Sequence, residues 1–369
     1  MRYARLYGVK SKQKKKSGRC GTVLDALRIR VAQSAQGDGL GSEVGIAKEC
    51  GVSRMTARKA VNALIAEGLV ERRAGVGIFV RGKDVVTRRF AFVAGNLLWD
   101  KVVQMASSAR KVMQENGAEL VLRDSHGEED AYLAELEALP SSEFDGAIVA
   151  SMDGERSDEA IRKLAATGFP VAVIDQSFKD VPIVSVASDN LTGGVMAARV
   201  LISAGHRELG FIGDFDAETV RFRWEGFRAT ALGSGLKLPS VYKIRGVGRL
   251  ASWEESVCGL VKRILALKRP PTAFFCSCDA VARFAMRTIA ASGLSVPGDI
   301  SLVGFDDDPI AEWTSPALTT IRQDFYAMGH EAAKRLLAFG RLAPSEKSCA
   351  IPVSLVERGS VGRMNKRRS

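Results

Sequence analysis

The chain is 369 residues long, 46% hydrophobic and 26% charged, with 53 Lys and Arg against 42 Asp and Glu. At about 100–200 residues per domain it can form two or three domains with ample cores; no uninterrupted apolar run reaches the roughly 18 residues of a membrane span, and the N-terminal MRYARLYGVKSKQKKKSGRC has no apolar segment behind its charges to act as a secretory signal. Charge is unevenly shared, with 20 basic against 7 acidic residues through position 90 and 33 against 35 afterwards, so the net +11 belongs to the first quarter of the chain, the footprint of phosphate binding.

Lys10, Lys12 and Lys14–Lys16 fall in a basic flexible arm over residues 1–18, which either touches phosphates nonspecifically or is a plain tail. SEVGIAKEC (42–50) predicts a short helix capped by Ser42, and Gly51 turns the chain. A second helix starts at the N-cap Ser53, where a hydroxyl can accept from a first-turn amide. Along it Ala57, Ala60, Val61, Leu64 and Ile65 share about 140° of arc, a buried stripe, while Arg54, Met55, Arg58, Lys59 and Asn62 fall outside it. Gly68 stops this helix. LVERR and GIFV then flank Gly75-Val76-Gly77 as two short strands with Arg72 and Arg73 at their base, a β-wing. Two helices, a Gly turn and arginines opening the second helix form the plan of a helix-turn-helix, whose second helix reads base edges.

Residues 81–89 lack strong periodicity and read as a linker. Beyond them, apolar runs at 90–95, 119–124, 146–151, 170–175, 209–214, 241–246, 272–277 and 300–305 alternate with helical stretches at 101–116, 128–138, 157–167, 191–204, 221–234, 252–267 and 279–292. That alternation predicts an α/β fold of doubly wound parallel sheets. Eight strands exceed one small sheet, so two lobes with a cleft are expected, with ligand groups on loops at the strands' carboxyl ends. Those loops carry Asn96, Trp99, Ser151, Asp153, Asp175, Asp279 and Asp306–Asp308, and Arg223 lies near the start of a helix. Carboxylates and an arginine beside an aromatic face suit a polyhydroxylated ligand, although an Asp at a strand end is also a common turn or cap residue.

Residues 40–80 resemble the winged helix-turn-helix of the GntR (gluconate repressor) family, closely over GVSRMTARKAVNAL and EGLVERRAGVGIFV. The match is weaker at LGSEVGIA (40–47), where Gly41 stands for the family's Pro and Val44 for an Arg. The resemblance implies DNA contact by Ser53, Arg54, Thr56, Arg58, Lys59, Arg73 and the wing residues Gly75 and Gly77. Residues 90–356 resemble the LacI (lactose repressor) family's sensor, a relative of periplasmic sugar-binding proteins. The motifs are SDNLTGGVMAARVLISAGHRELGFIGD, RFRWEGFRATALGSGL, PPTAFFCSCDAVARFAM and VPGDISLVGFDDDPIAEWTSPALTTIRQDF. By motif match Arg223, Asp306 and Gln323 are effector contacts, joined by Asp175 and Phe325, and Asn96–Trp99 lies on the first-lobe side. Cys278 replaces the family's usual Asn before Asp279, removing a common hydroxyl ligand. The hybrid is similar to arabinose-responsive repressors.

The expected organisation is a basic arm (1–18), a winged helix-turn-helix domain (19–82), a linker (83–89), a two-lobed periplasmic-binding-protein-like sensor (90–360) and a basic tail (361–369). The expected function is that of a repressor, a homodimer on a palindromic operator, controlled by a small carbohydrate. A regulator answering to a nucleobase, or one that has lost its ligand, is the alternative. The resemblance assigns the dimer surface to helices 101–116 and 128–138. Six scattered cysteines with no CxxC pair read as reduced thiols of a cytoplasmic protein, with no metal or cofactor expected. An enzyme is disfavoured, since no phosphate-binding Gly-rich motif follows a strand and no nucleophile–base motif lies near His126, His206 or His330.

Overall fold

Two serine hydroxyls open two of the helices in the first 80 residues. In the computed structural model, which describes residues 19–35, 37–73, 75–81, 88–152, 154–178, 181–244 and 250–364, Ser42 accepts from the Gly45 amide at 3.1 Å and Ser53 from the Thr56 amide at 3.2 Å. The arm at 1–18, Ala74, linker residues 82–87, Asp153 and tail residues 365–369 lie outside the described residues. Contacts divide the chain into two units, Met1–Thr87 and Arg88–Ser369.

The first unit runs α1 (Arg19–Gln33), β1 (Gly39–Gly41), α2 (Glu43–Glu49), α3 (Arg54–Ala66), β2 (Val70–Arg73) and β3 (Gly77–Val80). Helix α1 is an addition to the sequence reading, because its apolar positions are interrupted by Asp25, Arg28 and Arg30. It supplies Val23, Leu27 and Val31 to a core completed by Leu40, Ile46, Ala47, Ala57, Ala60, Val61, Leu64, Val70, Ile78 and Val80. Gly68, at φ +70°, ends α3. Its amide bonds the Ile65 carbonyl at 3.0 Å and the Leu69 amide bonds the Leu64 carbonyl at 2.9 Å, closing the last turn with the paired bonds of a Schellman motif. Antiparallel β2 and β3 form the wing, in register from Val70↔Val80 to Arg73↔Gly77, and β1 adds to the other side of β3.

The second unit continues β4 (Arg89–Ala94), α4 (Asp100–Glu115), β5 (Glu119–Asp124), α5 (Glu129–Ala138), β6 (Gly146–Ala150), α6 (Glu155–Ala166), β7 (Val171–Ile174), β8 (Val184–Ser188), α7 (Asn190–Ser203), β9 (Leu209–Gly213), α8 (Glu218–Gly233), β10 (Ser240–Lys243), α9 (Leu250–Leu265), β11 (Ala273–Cys276), α10 (Asp279–Ala291), β12 (Ser301–Asp306), α11 (Ile310–Trp313), β13 (Thr319–Arg322), α12 (Phe325–Leu337), β14 (Ser348–Ile351) and β15 (Ser354–Val356). They form two six-stranded sheets. The first lobe has the order β14-β8-β7-β6-β4-β5, all parallel; the second has β10-β9-β11-β12-β13-β15, parallel except for β15.

Both sheets are covered on both faces. In β4, Phe90, Phe92 and Ala94 join the core under α4 and α12, while Ala91 and Val93 join the core under α5 and α6. Two further cores flank the second sheet. This explains why β4, β6, β7, β9, β11 and β12 read as continuous apolar runs, since neither of their faces meets water, whereas the edge strands β5 and β10 are largely exposed. Strands β4–β7 and β9–β12 match the eight runs of the sequence. Strands β8, β13, β14 and β15 do not stand out there, because VSVAS and TTIR mix polar residues with apolar ones and neither is set off by a turn cluster. All four lie on the side where the chain changes lobes, after β8, after β13 and between β14 and β15.

Where α7 meets α8 there is no room for side chains. A Cβ on Gly194 would lie 2.0 Å from the Arg223 carbonyl oxygen, and one on Gly226 2.0 Å from that of Leu191. Gly226→Ala is therefore expected to destabilise the chain by about 1–3 kcal/mol through overpacking. Urea unfolding measures this, and an unchanged midpoint with an unchanged slope would show that the helices separate without cost.

Candidate nucleic-acid interface and effector cleft

The cations of the first unit divide into two groups. Arg28 binds Glu67 at 2.5 Å and Asp25 at 3.3 Å, and Arg30 binds Glu49 at 2.9 Å. Arg72 reaches back to Glu43 at 2.6 Å and to the Asn62 side-chain oxygen at 3.0 Å. Arg73 pairs with Glu71 at 2.8 Å and covers the Phe79 ring at 4.5 Å. Arg54, Arg58 and Lys59 are exposed on α3 and form no ion pair among the described residues. Lys48 and Arg81 also form no ion pair among the described residues, so three of the five unpaired cations described in this unit lie on the helix expected to read DNA.

The other expected contacts have structural partners. Ser53 caps α3, and its hydroxyl lies 2.9 Å from that of Thr56. Gly75, at φ +73°, has open space around it. Gly77, at φ +147°, would bring a Cβ to 3.2 Å from the Gly41 carbonyl oxygen, so strand pairing with β1 accounts for this glycine. Gly41 itself adopts φ +92°, which the proline of the GntR pattern could not. Val44 is 56% exposed.

In the sensor, Arg223 is the centre of a buried cluster. Its Nε donates to Asn190 Oδ1 at 2.7 Å and its Nη1 to the Ser277 carbonyl at 2.6 Å. The guanidinium carbon stands 3.7 Å from the centroid of the Phe305 ring, and Asp306 lies 3.8 Å away. Gln323 Nε2 donates to Asp306 at 2.6 Å, while Gln323 Oε1 is buried with no hydrogen-bond partner among the described residues. Cys278 completes this wall. Burial pushes its thiol up to about 12, Asp306 adds to the rise and Arg223 opposes it, so the group stays a neutral, weakly hydrogen-bonding thiol.

The first lobe contributes Asp175, at φ +63°, whose Oδ1 is also buried without a hydrogen-bond partner among the described residues. Lys101 lies 4.0 Å from Asp175 and 5.7 Å from the centroid of Trp99, which is exposed. The positive charge of Lys101 also reaches Asp306 and Asp308 in the second lobe. Glu218 accepts from the Ser177 amide and hydroxyl at 3.0 and 2.8 Å, tying the lobes directly. Sequence reasoning missed Lys101, Asn190 and Glu218. Of these, only Asn190 carried a local signal, lying in the SDN run that starts α7.

Four expected contacts turn out to be engaged elsewhere. Asp279 is fully buried; its carboxylate accepts from Thr320 at 2.6 Å and from the Asp308 amide at 2.9 Å, which makes it a residue that holds the loop after β12. Ser151 is bonded to Gln176. Asn96 accepts from the Leu98 amide at 2.8 Å, shaping its own turn, and Phe325 belongs to the first-lobe core. His206 is buried between the Thr272 and Ser301 hydroxyls at 2.9 and 2.8 Å, a structural tie. A separate cavity of about 440 Å³ lies at the crossings, lined by Gln104 and residues 322–324 and 352–354, and shares Gln323 with the cluster.

A winged helix-turn-helix joined to a two-lobed binding fold defines the class of ligand-responsive DNA-binding regulators. The comparisons agree. Residues 21–80 match the model of bacterial regulatory proteins of the gntR family, and residues 198–361 match the periplasmic binding protein-like domain. The HTH-type transcriptional repressor PurR of Klebsiella pneumoniae (strain 342) is 32% identical over 264 residues, 70% of this chain and 75% of that protein. The fold is similar to that of a LacI family transcriptional regulator from Enterococcus faecium with bound ribose, at TM-score 0.61 and 22% identity over 75% of this chain and 100% of that one. It is also similar to the lac repressor dimer bound to operator and the anti-inducer ONPF, at TM-score 0.62 and 23% identity over 76% and 96%. The chain belongs to the bacterial HTH-type transcriptional regulators, with a GntR-type head and a periplasmic-binding-protein-like sensor, and is not an enzyme.

Burial raises the Asp306 carboxyl from its ordinary 3.8 to about 7, although Arg223 and Lys101 pull it down. Between about pH 4 and 7 the folded chain therefore holds a proton that the unfolded chain has released. Its contribution to stability falls as pH rises through that window, by up to about 1.4 kcal/mol per unit, and levels off above it. The stability difference between the native chain and Asp306→Asn, followed by urea unfolding, should decline across the window. A flat difference would rule this titration out.

Proposed function

We propose that the chain is a repressor whose operator binding is set by a small polyhydroxylated effector, a sugar or sugar derivative, held between the lobes of the sensor. The observation that carries this is the cluster around Arg223: a buried arginine and carboxylate, with buried oxygens on Gln323 and Asp175 that have no hydrogen-bond partner among the described residues and would accept from ligand hydroxyls. A neutral ligand offering many hydroxyls can satisfy such groups without burying new charge, which would otherwise cost several kcal/mol. The ribose bound in the Enterococcus faecium regulator supports the same ligand class.

The head supplies the output. Arg54, Arg58 and Lys59 would meet the operator from α3, with Gly75 at the tip of the wing. The lac repressor dimer on its operator supports a homodimer on a palindromic site. Effector binding would favour one arrangement of the two lobes and so alter the dimer that carries the heads. Such a protein works in the cytoplasm, where the DNA is. No helix among the described residues is long and apolar enough to cross a membrane.

Arg58→Ala should weaken binding to the native operator by about 1–3 kcal/mol if the arginine makes a bidentate base contact, read in a fluorescence titration at fixed salt. Unchanged affinity would remove Arg58 from the interface. A sugar panel in a thermal-shift assay should raise the melting temperature, because a ligand that binds only the folded state stabilises it. Asp306→Asn should abolish that shift and leave DNA binding intact. A shift with nucleobases and none with sugars would overturn the effector class.

A further inference from the structure

Met55 occupies an unusual place for an apolar side chain. It is 61% exposed in the first turn of α3, and the helix that carries it is otherwise sorted cleanly into a buried apolar stripe and a polar face. On a helix turning about 100° per residue, Ala57, Ala60, Val61 and Leu64 centre the buried stripe. Met55 falls within about 10° of the line directly opposite, with Arg58 and Lys59 roughly 60° and 40° to either side. It is the most outward residue of that turn, between the cations that form no ion pair among the described residues. Asn62, two turns further along the same line, is already engaged by Arg72.

A helix seated in the major groove through Arg58 and Lys59 would bring Met55 to the base edges first. Most groups presented there are hydrogen-bond donors or acceptors, which a thioether cannot satisfy. The apolar feature of the groove is the C5-methyl of thymine. From this we infer that Met55 is a specificity-determining residue that reads a thymine methyl in each operator half-site. The inference rests on the assignment of α3 as the base-reading helix.

The test uses the full-length protein and a duplex selected by it from a random-sequence library. Each thymine is replaced in turn by deoxyuridine, which removes only the methyl group. The native protein should lose about four-fold in affinity at one thymine per half-site, the equivalent of one methyl returned to water. Met55→Gln, which keeps the side-chain length, should bind the thymine and uracil duplexes equally, and Met55→Leu should restore part of the difference. If no thymine distinguishes the native protein from Met55→Gln, the inference is overturned. Arg58→Ala separates the two levels: if it weakens selected-duplex binding while Met55 couples to no thymine, only the methyl contact falls. If Arg58→Ala has no effect either, the reading of α3 falls with it.

Discussion

A buried guanidinium is expensive unless its donors are satisfied and its charge is answered, and Arg223 organises the sensor by imposing that requirement. Its partners come from three separate segments: Asn190 at the start of α7, the Ser277 carbonyl after β11, and Asp306 at the end of β12, with Phe305 beneath it. Helix α8 can deliver the side chain there because glycines let α7 and α8 approach closely. One polar centre thus links the packing of two helices to the loops that face the other lobe.

The second constraint is topological. The chain changes lobes three times, always on the same side of the two sheets. Lobes joined at one edge can rotate about that edge but cannot slide apart, which is the geometry of a hinge. Gln323 lies in one of these crossings and donates to Asp306. A change in the cluster is therefore felt in the crossing itself. The bond pair from Ser177 to Glu218 also spans the lobes.

Much of this was legible in the sequence, for identifiable reasons. Strands buried on both faces announce themselves as apolar runs, so β4, β6, β7, β9, β11 and β12 could be read directly, while the exposed edge strands β5 and β10 were legible from short apolar stretches between helices. The short strands beside the crossings could not, because their polar residues belong to the junction between lobes. The α3 stripe, its Ser53 cap and its Gly68 stop follow local rules and were visible. Motif resemblance pointed to Arg223, Asp306 and Gln323, which the structure brings together. It could not show that Asp279 points at Thr320 and the Asp308 amide, since residue type at a strand end does not fix direction. Lys101 and Glu218 act across the space between lobes, and no local pattern encodes that.

The pairing of Arg28, Arg30, Arg72 and Arg73 with carboxylates of their own domain has a consequence for how this head meets a polyanion. Formal charge measures what a chain contains, whereas the counterions released from DNA depend on the charge a surface can deliver to phosphates. Arginines already neutralised at home stiffen the scaffold and contribute little to that release. Nonspecific attraction from this domain is then weaker than its composition suggests, and its unpaired cations, three of them on α3, carry a larger share of the encounter. A head built this way gains discrimination by withholding these four charges from the backbone that all sequences share.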